Sequence, residues 1–163
     1  MTCEIIDGFL EPNELFTLNT TLILSSETPL FLQRGVSYTD KSDGIYFTHT
    51  FFNEIPKSHL CFLFDNILEK LEVKKLYRIK LNVYPQNLLR KKHGWHVDSD
   101  FSHKGCLISL NSNNGGTIVK NKPFNTFVKS KAGRAVIFDA GKEHRSQCCS
   151  DKHYRANIII NYE

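Results

Sequence analysis

YRIKLNVY, residues 77–84, alternates without a break: Tyr77, Ile79, Leu81 and Val83 fall on one face, and Arg78, Lys80, Asn82 and Tyr84 on the other. That period of two predicts a strand with one apolar and one polar side. Downstream the same texture recurs in short runs: GWHVDSD, GCLISLN, GTIVK, NTFVKS, RAVIFDA, EHRSQCC and HYRANIIINY. Turn residues separate most of them, in YPQN, NSNNGG, KNKPFN and SKAGR. NNGG predicts a hairpin turn with positive φ. Eight short strands at close spacing predict a sandwich or barrel.

Upstream the pattern is mixed. EPNELFTLNTTLIL places Pro12 and Glu14 near a start and Leu15, Leu18, Leu22 and Leu24 at loosely helical spacing. GIYFTHTFF reads as a strand. PKSHLCFLFDNILEKLEV carries Leu60, Leu63, Phe64, Ile67, Leu68 and Leu71 on one stripe, the strongest helical signal in the chain. The expected fold is therefore mainly β with N-terminal helices. Residues 1–75 form a helical and strand support layer, and 76–163 form the β core of a single domain, as 163 residues suit.

Hydrophobic residues make up 40% and charged ones 23%, enough apolar mass for one core. The net charge of +4 permits an acidic partner without demanding one. The start, MTCEIIDGFLEP, has no basic n-region and no long apolar stretch, and runs such as LCFLF are too short to span a bilayer. The five cysteines, Cys3, Cys61, Cys106, Cys148 and Cys149, show no framework spacing. The expectation is a cytoplasmic protein with free thiols and no membrane partner, with Cys148 and Cys149 on opposite faces of a strand.

GWHVDSDF, residues 94–101, raises the chemical question. On a strand, His96 and Asp98 share a face, either as a polar strand edge or as two ligands of one metal. His144, in KEHRSQ, is the candidate third ligand. Two histidines and a carboxylate leave adjacent metal positions open, which suits non-haem Fe(II). Arg155 opens the last strand, where its guanidinium could hold a carboxylate through a bidentate pair.

The order H-x-D, a distal His and then an Arg, spread over eight short strands, resembles the Fe(II)/2-oxoglutarate-dependent oxygenases, in particular the prolyl-hydroxylase-like branch. YRIKLNVYP, HVD, LNSNNGGT, RAVIFDAGKEH and YRANIIINY occur in that branch's order, with a weaker echo in EIIDGFLEPNE. The resemblance implies a double-stranded β-helix, a jelly roll of two four-stranded sheets. It implies Fe(II) on His96, Asp98 and His144 and 2-oxoglutarate anchored by Arg155, with Tyr84 and Asn82 lining the same pocket. Dioxygen would be the further reactant and ascorbate an optional reductant. The implied reaction decarboxylates 2-oxoglutarate to succinate and hydroxylates a prolyl or other residue in a protein or peptide, or a small molecule. The chain departs from the branch at Ser109, where prolyl hydroxylases often carry Tyr. It also has Asn161 where nucleic-acid demethylases of the superfamily usually carry a second Arg, which argues against a nucleic-acid substrate.

Blander readings stand beside these. His93 falls on the face opposite His96, and His103 falls in a loop, so both read as solvated; Asp100 reads as a loop carboxylate. Trp95 reads as core or lid packing. Arg90, Lys91, Lys92, Lys120, Lys122, Lys129 and Lys131 read as a solvated face that also protects strand edges, or as a basic rim for a substrate. Residues 28–45, 85–95 and 99–105 read as the loops that set the substrate. Two other functions share the pattern: a cupin-like metal-binding module that ignores 2-oxoglutarate, and a nucleic-acid-modifying oxygenase.

Overall fold

A computed structural model describes residues 3–35 and 44–163. The part of the expected 28–45 loop that falls at 36–43 lies outside the described residues. The strands are β1 (Glu4–Ile6), β2 (Phe31–Arg34), β3 (Ile45–Asn53), β4 (Ile55–Pro56), β5 (Leu76–Pro85), β6 (Lys104–Ser109), β7 (Gly116–Val119), β8 (Thr126–Lys129), β9 (Ala135–Asp139), β10 (His144–Gln147) and β11 (Tyr154–Tyr162). The helices are α1 (Pro12–Asn19), continued by one π turn over Thr20–Leu24, and α2 (Asp65–Lys70), preceded by a 3₁₀ segment over His59–Phe64.

The major sheet has the order β1-β9-β6-β11-β5-β3-β2, with β4 beside β3; the minor sheet has the order β10-β7-β8. Every pairing is antiparallel. The jelly roll is as expected, but its sheets are unequal. Strands of the first 75 residues extend the major sheet on both edges. The eighth core strand, GWHVDSD, is no regular strand. It joins the minor sheet beside β10 through isolated bridges, Lys92 to Gln147 and His96 to His144.

Two apolar layers follow from the alternation of β5, β6, β9 and β11. Outside the major sheet, Ile79, Leu81, Ile108, Ala156, Ile158 and Ile160 pack with Leu18 and Leu22, and with Phe51, Leu60, Phe64 and Ile67. Between the sheets, Leu107, Val136, Phe138 and Ile159 meet Val119 and Val128. The helical stripe over residues 60–71 is real in its burial, with Leu60, Phe64, Ile67 and Leu71 deepest. Its first half winds as a 3₁₀ segment, whose N-cap Ser58 accepts a hydrogen bond from the Leu60 amide. In α1 the Glu14 carboxylate accepts from the Glu11 amide, 2.9 Å away, which satisfies one of the donors a helix start leaves open.

NNGG differs from its sequence reading. The positive-φ glycines among the described residues are Gly8, Gly35, Gly44 and Gly133, so Gly115 and Gly116 are not needed for a left-handed turn. Close approach explains them instead. A Cβ on Gly115 would sit 2.7 Å from the Gln147 carbonyl oxygen, and one on Gly116 would sit 2.3 Å from that of Val128. Gly116→Ala should therefore force β7 away from β8 and cost about 1–3 kcal/mol. The urea midpoint should fall with an unchanged m-value.

Candidate metal and carboxylate site

The irregular segment after β5 is held by backbone bonds at chosen residues. The amides of His96 and His144 each donate to the other's carbonyl, at 3.0 and 2.9 Å, and the Asp98 amide donates to the Ala140 carbonyl at 3.0 Å. These bonds keep His96 and Asp98 on one side, as strand alternation would. One potential ligand atom from each of His96, Asp98 and His144 lies within 4.8 Å of the others. The two imidazole centroids are 4.5 Å apart. His144 Nδ1 lies 3.0 Å from the Lys142 carbonyl oxygen, a bond it makes as the donor, so Nε2 is the ring nitrogen turned to the cluster. That Nε2 is 4.0 Å from Asp98 Oδ1.

Charge states follow from the surroundings. Burial, with His144 beside it, pushes His96 down to about 4, so it is neutral at pH 7. Burial alone would raise Asp98. The Arg78 guanidinium, His144 and the Asn161 amide outweigh it and bring Asp98 down to about 2. Arg78 donates to Asp98 Oδ1 at 2.7 Å and to Asn161 Oδ1 at 3.0 Å. Asn161 Nδ2 donates to Asp98 Oδ2 and to His103 Nε2, both at 2.9 Å. The neutral His96 imidazole beside the ionised Asp98 carboxylate is the kind of donor pair a divalent cation requires.

The register of β11 sets out the rest of the polar face. Tyr84 lies opposite Arg155, Asn82 opposite Asn157, and Ser109 opposite Asn157 on the other edge. Residues directly opposite share a face, so Asn82, Tyr84, Ser109 and Arg155 fall on one face of the major sheet. Arg155 is only 1% exposed. Its Nε donates to Ser130 Oγ at 2.8 Å and an Nη to Thr117 Oγ1 at 2.9 Å, while Nη1 meets no hydrogen-bond geometry among the described residues. Its guanidinium carbon lies 5.2 Å from the Tyr84 ring centroid. Among the described residues no carboxylate pairs with it. A buried cation without an anion costs several kcal/mol, so this arrangement fits an anionic ligand.

Several assignments change. His93 is buried, not solvated: its Nδ1 lies 2.6 Å from Ser146 Oγ and its ring stacks on Tyr84 at 5.5 Å. The alternation that placed it outward fails because the chain is irregular between 93 and 96. His103 is likewise buried, against Asn161. Trp95 lies outside the core clusters and stacks on Arg145, 4.2 Å from ring centroid to guanidinium carbon. Cys148 and Cys149 follow β10 rather than lying on it, and both are buried free thiols. Arg78, Thr117, Ser130 and Asn157 were not singled out from sequence. The polar face of YRIKLNVY was the available signal for Arg78; the minor-sheet hydroxyls gave none.

No family model matches the chain, and no curated protein matches it. Solved structures do match. A Burkholderia pseudomallei oxidoreductase of the 2OG-Fe(II) oxygenase family aligns with TM-score 0.74 at 12% identity, over 99% of this chain and 84% of that one. The viral collagen prolyl hydroxylase of Paramecium bursaria Chlorella virus-1, in a 2OG complex, aligns with TM-score 0.63 at 17% identity, over 100% and 97%. A Trichoplax adhaerens prolyl hydroxylase in complex with a hypoxia inducible factor peptide fragment aligns with TM-score 0.70 at 14% identity, over 98% and 82%. The chain thus has the fold of these proteins. No helix among the described residues is long and apolar enough to cross a membrane.

Lys80 also lies on the polar face, its Nζ 3.2 Å from the Tyr46 hydroxyl. Burial, and then Arg78, bring it from 10.5 down to about 8. Its charged form is penalised in the folded state, so folding gains stability as pH rises from about 8 to 10.5. Lys80→Met should therefore raise stability at pH 7, by roughly 1–3 kcal/mol. The gain should shrink above pH 8 when thermal unfolding is followed across that window.

Proposed function

We propose that the chain is an Fe(II)- and 2-oxoglutarate-dependent dioxygenase that hydroxylates a prolyl or other residue of a protein or peptide, with 2-oxoglutarate decarboxylated to succinate. The observation that carries this reading is the buried Nη1 of Arg155, with no hydrogen-bond partner among the described residues, on the fold that also gathers His96, Asp98 and His144. A bare metal-binding module has no use for that guanidinium. The fold neighbours support the class, and one of them holds a peptide.

In this reading residues 1–163 act as one oxygenase domain. His96, Asp98 and His144 would hold Fe(II), a set that leaves adjacent positions free for the cosubstrate and dioxygen. Once bound, iron, 2-oxoglutarate and dioxygen supply the oxidising chemistry, with ascorbate as an optional reductant. The chain's own residues bind and orient. Arg155 pairs with the distal carboxylate, held in place by Ser130 and Thr117 and covered by Tyr84. Asn82 and Ser109, on the row beside it, line the cosubstrate pocket. Asn161 and Arg78 keep the Asp98 carboxylate ionised and aimed.

Anaerobic titration of 2-oxoglutarate into Fe(II)-loaded protein should develop a saturable visible charge-transfer band. Arg155→Ala should raise the concentration needed by about 2–5 kcal/mol in binding free energy. Metal binding without any band, or a variant identical to the parent, would remove the cosubstrate assignment. Asp98→Ala should abolish turnover with the fold retained, as seen by circular dichroism; unchanged turnover would remove the iron assignment. Asn161→Leu deprives Asp98 Oδ2 of its donor and should weaken divalent metal binding about 10–100-fold, as read by competitive titration with Mn(II).

A further inference from the structure

The polar face of β5 holds one cation that neither the metal cluster nor the carboxylate anchor uses. Arg78, Lys80, Asn82 and Tyr84 follow one another along that face by the alternation of the strand. At one end Arg78 pairs with Asp98 Oδ1, 2.7 Å away. At the other, the Tyr84 ring centroid lies 5.2 Å from the Arg155 guanidinium carbon. Lys80 falls between these ends, opposite Ile159 on β11 and Thr50 on β3. Its ammonium leans toward β3: Nζ donates to the Tyr46 hydroxyl at 3.2 Å and lies 5.2 Å from the centroid of the Tyr46 ring. Tyr46 is held in turn by stacking on Tyr84, with centroids 5.4 Å apart and planes at 14°. The head of a flexible side chain thus has a fixed seat, on the flank of β5 away from β11 and Arg155.

Among the described residues no carboxylate pairs with Lys80. The side chain is half-buried, so a ligand can reach it while its charge is already poorly hydrated. Its neighbours Tyr46, Thr50 and Ile159 are uncharged, so the seat answers one negative charge and offers nothing to a second. That fits a carboxylate better than a phosphomonoester, which carries about −1.5 to −2. We propose that Lys80, seated by Tyr46, binds a carboxylate of the substrate. The inference rests on the oxygenase reading and names the substrate class of that same site: a peptide with an acidic side chain, or its own terminal carboxylate, beside the residue to be oxidised.

Nuclear magnetic resonance of the chain holding 2-oxoglutarate and Zn(II) in place of Fe(II), which prevents turnover, tests it. N-acetylglutamate α-amide offers a side-chain carboxylate, N-acetylproline a terminal one, and N-acetylglutamine amide none. At least one of the two carboxylates should shift the Tyr46 amide and Lys80 side-chain signals saturably, and the tighter of the two names the source. The uncharged probe should bind at least about tenfold more weakly. Lys80→Met, which keeps the fold, should lose a similar factor at the Tyr46 signal, and Lys80→Arg should restore part of it. In the Fe(II) charge-transfer titration, Lys80→Met should need 2-oxoglutarate within about threefold of the parent's requirement. Absence of that band in the parent would remove the oxygenase reading, and this inference with it. A normal band with equal binding of charged and uncharged probes, or with no shift by either carboxylate, would overturn this inference alone. So would tighter binding of methyl or dimethyl phosphate, binding unchanged in Lys80→Met, or a rise of about tenfold or more in that variant's 2-oxoglutarate requirement, which would make Lys80 a cosubstrate ligand.

Discussion

Strand β11 is paired along both edges, to β5 and to β6, and the polar geometry depends on that register. Arg155 falls opposite Tyr84, Asn157 opposite Asn82 and Ser109, and Asn161 opposite Arg78. Because side chains alternate, a slip of one residue would send all of these into the apolar layer and bring Ile158 and Ile160 into the polar one. The register is secured by that same apolar layer, where Ala156, Ile158 and Ile160 are fully buried. Hydrophobic packing on one side of the strand thus fixes the positions of charged groups on the other.

Those charged groups are arranged at some energetic cost. Arg155 is buried without an anion, and Lys80 is held among polar groups with its pKa pulled down. Asn157 Nδ2 is a further buried donor without a hydrogen-bond partner among the described residues. Such features cost stability unless a ligand answers them. Arg78, Asn161 and Asp98, by contrast, are bonded to one another, with His103 as a further partner of Asn161. The contrast separates the part of the face that is complete by itself from the part that fits an anion.

Much of this was legible in the sequence. Strict alternation in YRIKLNVY assigns the two faces of β5, and the spacing H-x-D puts two side chains on one side. What could not be read depended on irregular chain. Alternation fails between His93 and His96, so His93 turned inward against expectation. Ser130 and Thr117 reach Arg155 from the other sheet, a contact made by tertiary packing and carried by no local pattern. The two glycines of NNGG read as a turn signal, but they are required by the nearness of neighbouring backbone and not by their own dihedral angles. In sequence Asn161 reads only as the lack of a second Arg, yet with Arg78 it binds the Asp98 carboxylate.

The His96–His144 bridge has a thermodynamic consequence. Two of the three clustered side chains stand on a segment without a regular ladder, tied to β10 through a few backbone bonds. Ordering that segment and gathering the three donors are one event, so an ion taken there would bind the ordered form and not the frayed one. Linkage then makes the local opening free energy of residues 91–98 a function of free metal concentration, growing by RT ln(1 + [M]/Kd). The fully paired β11 would register no such local change. Amide hydrogen exchange could therefore read occupancy of the cluster from the backbone alone, with no chromophore and no turnover.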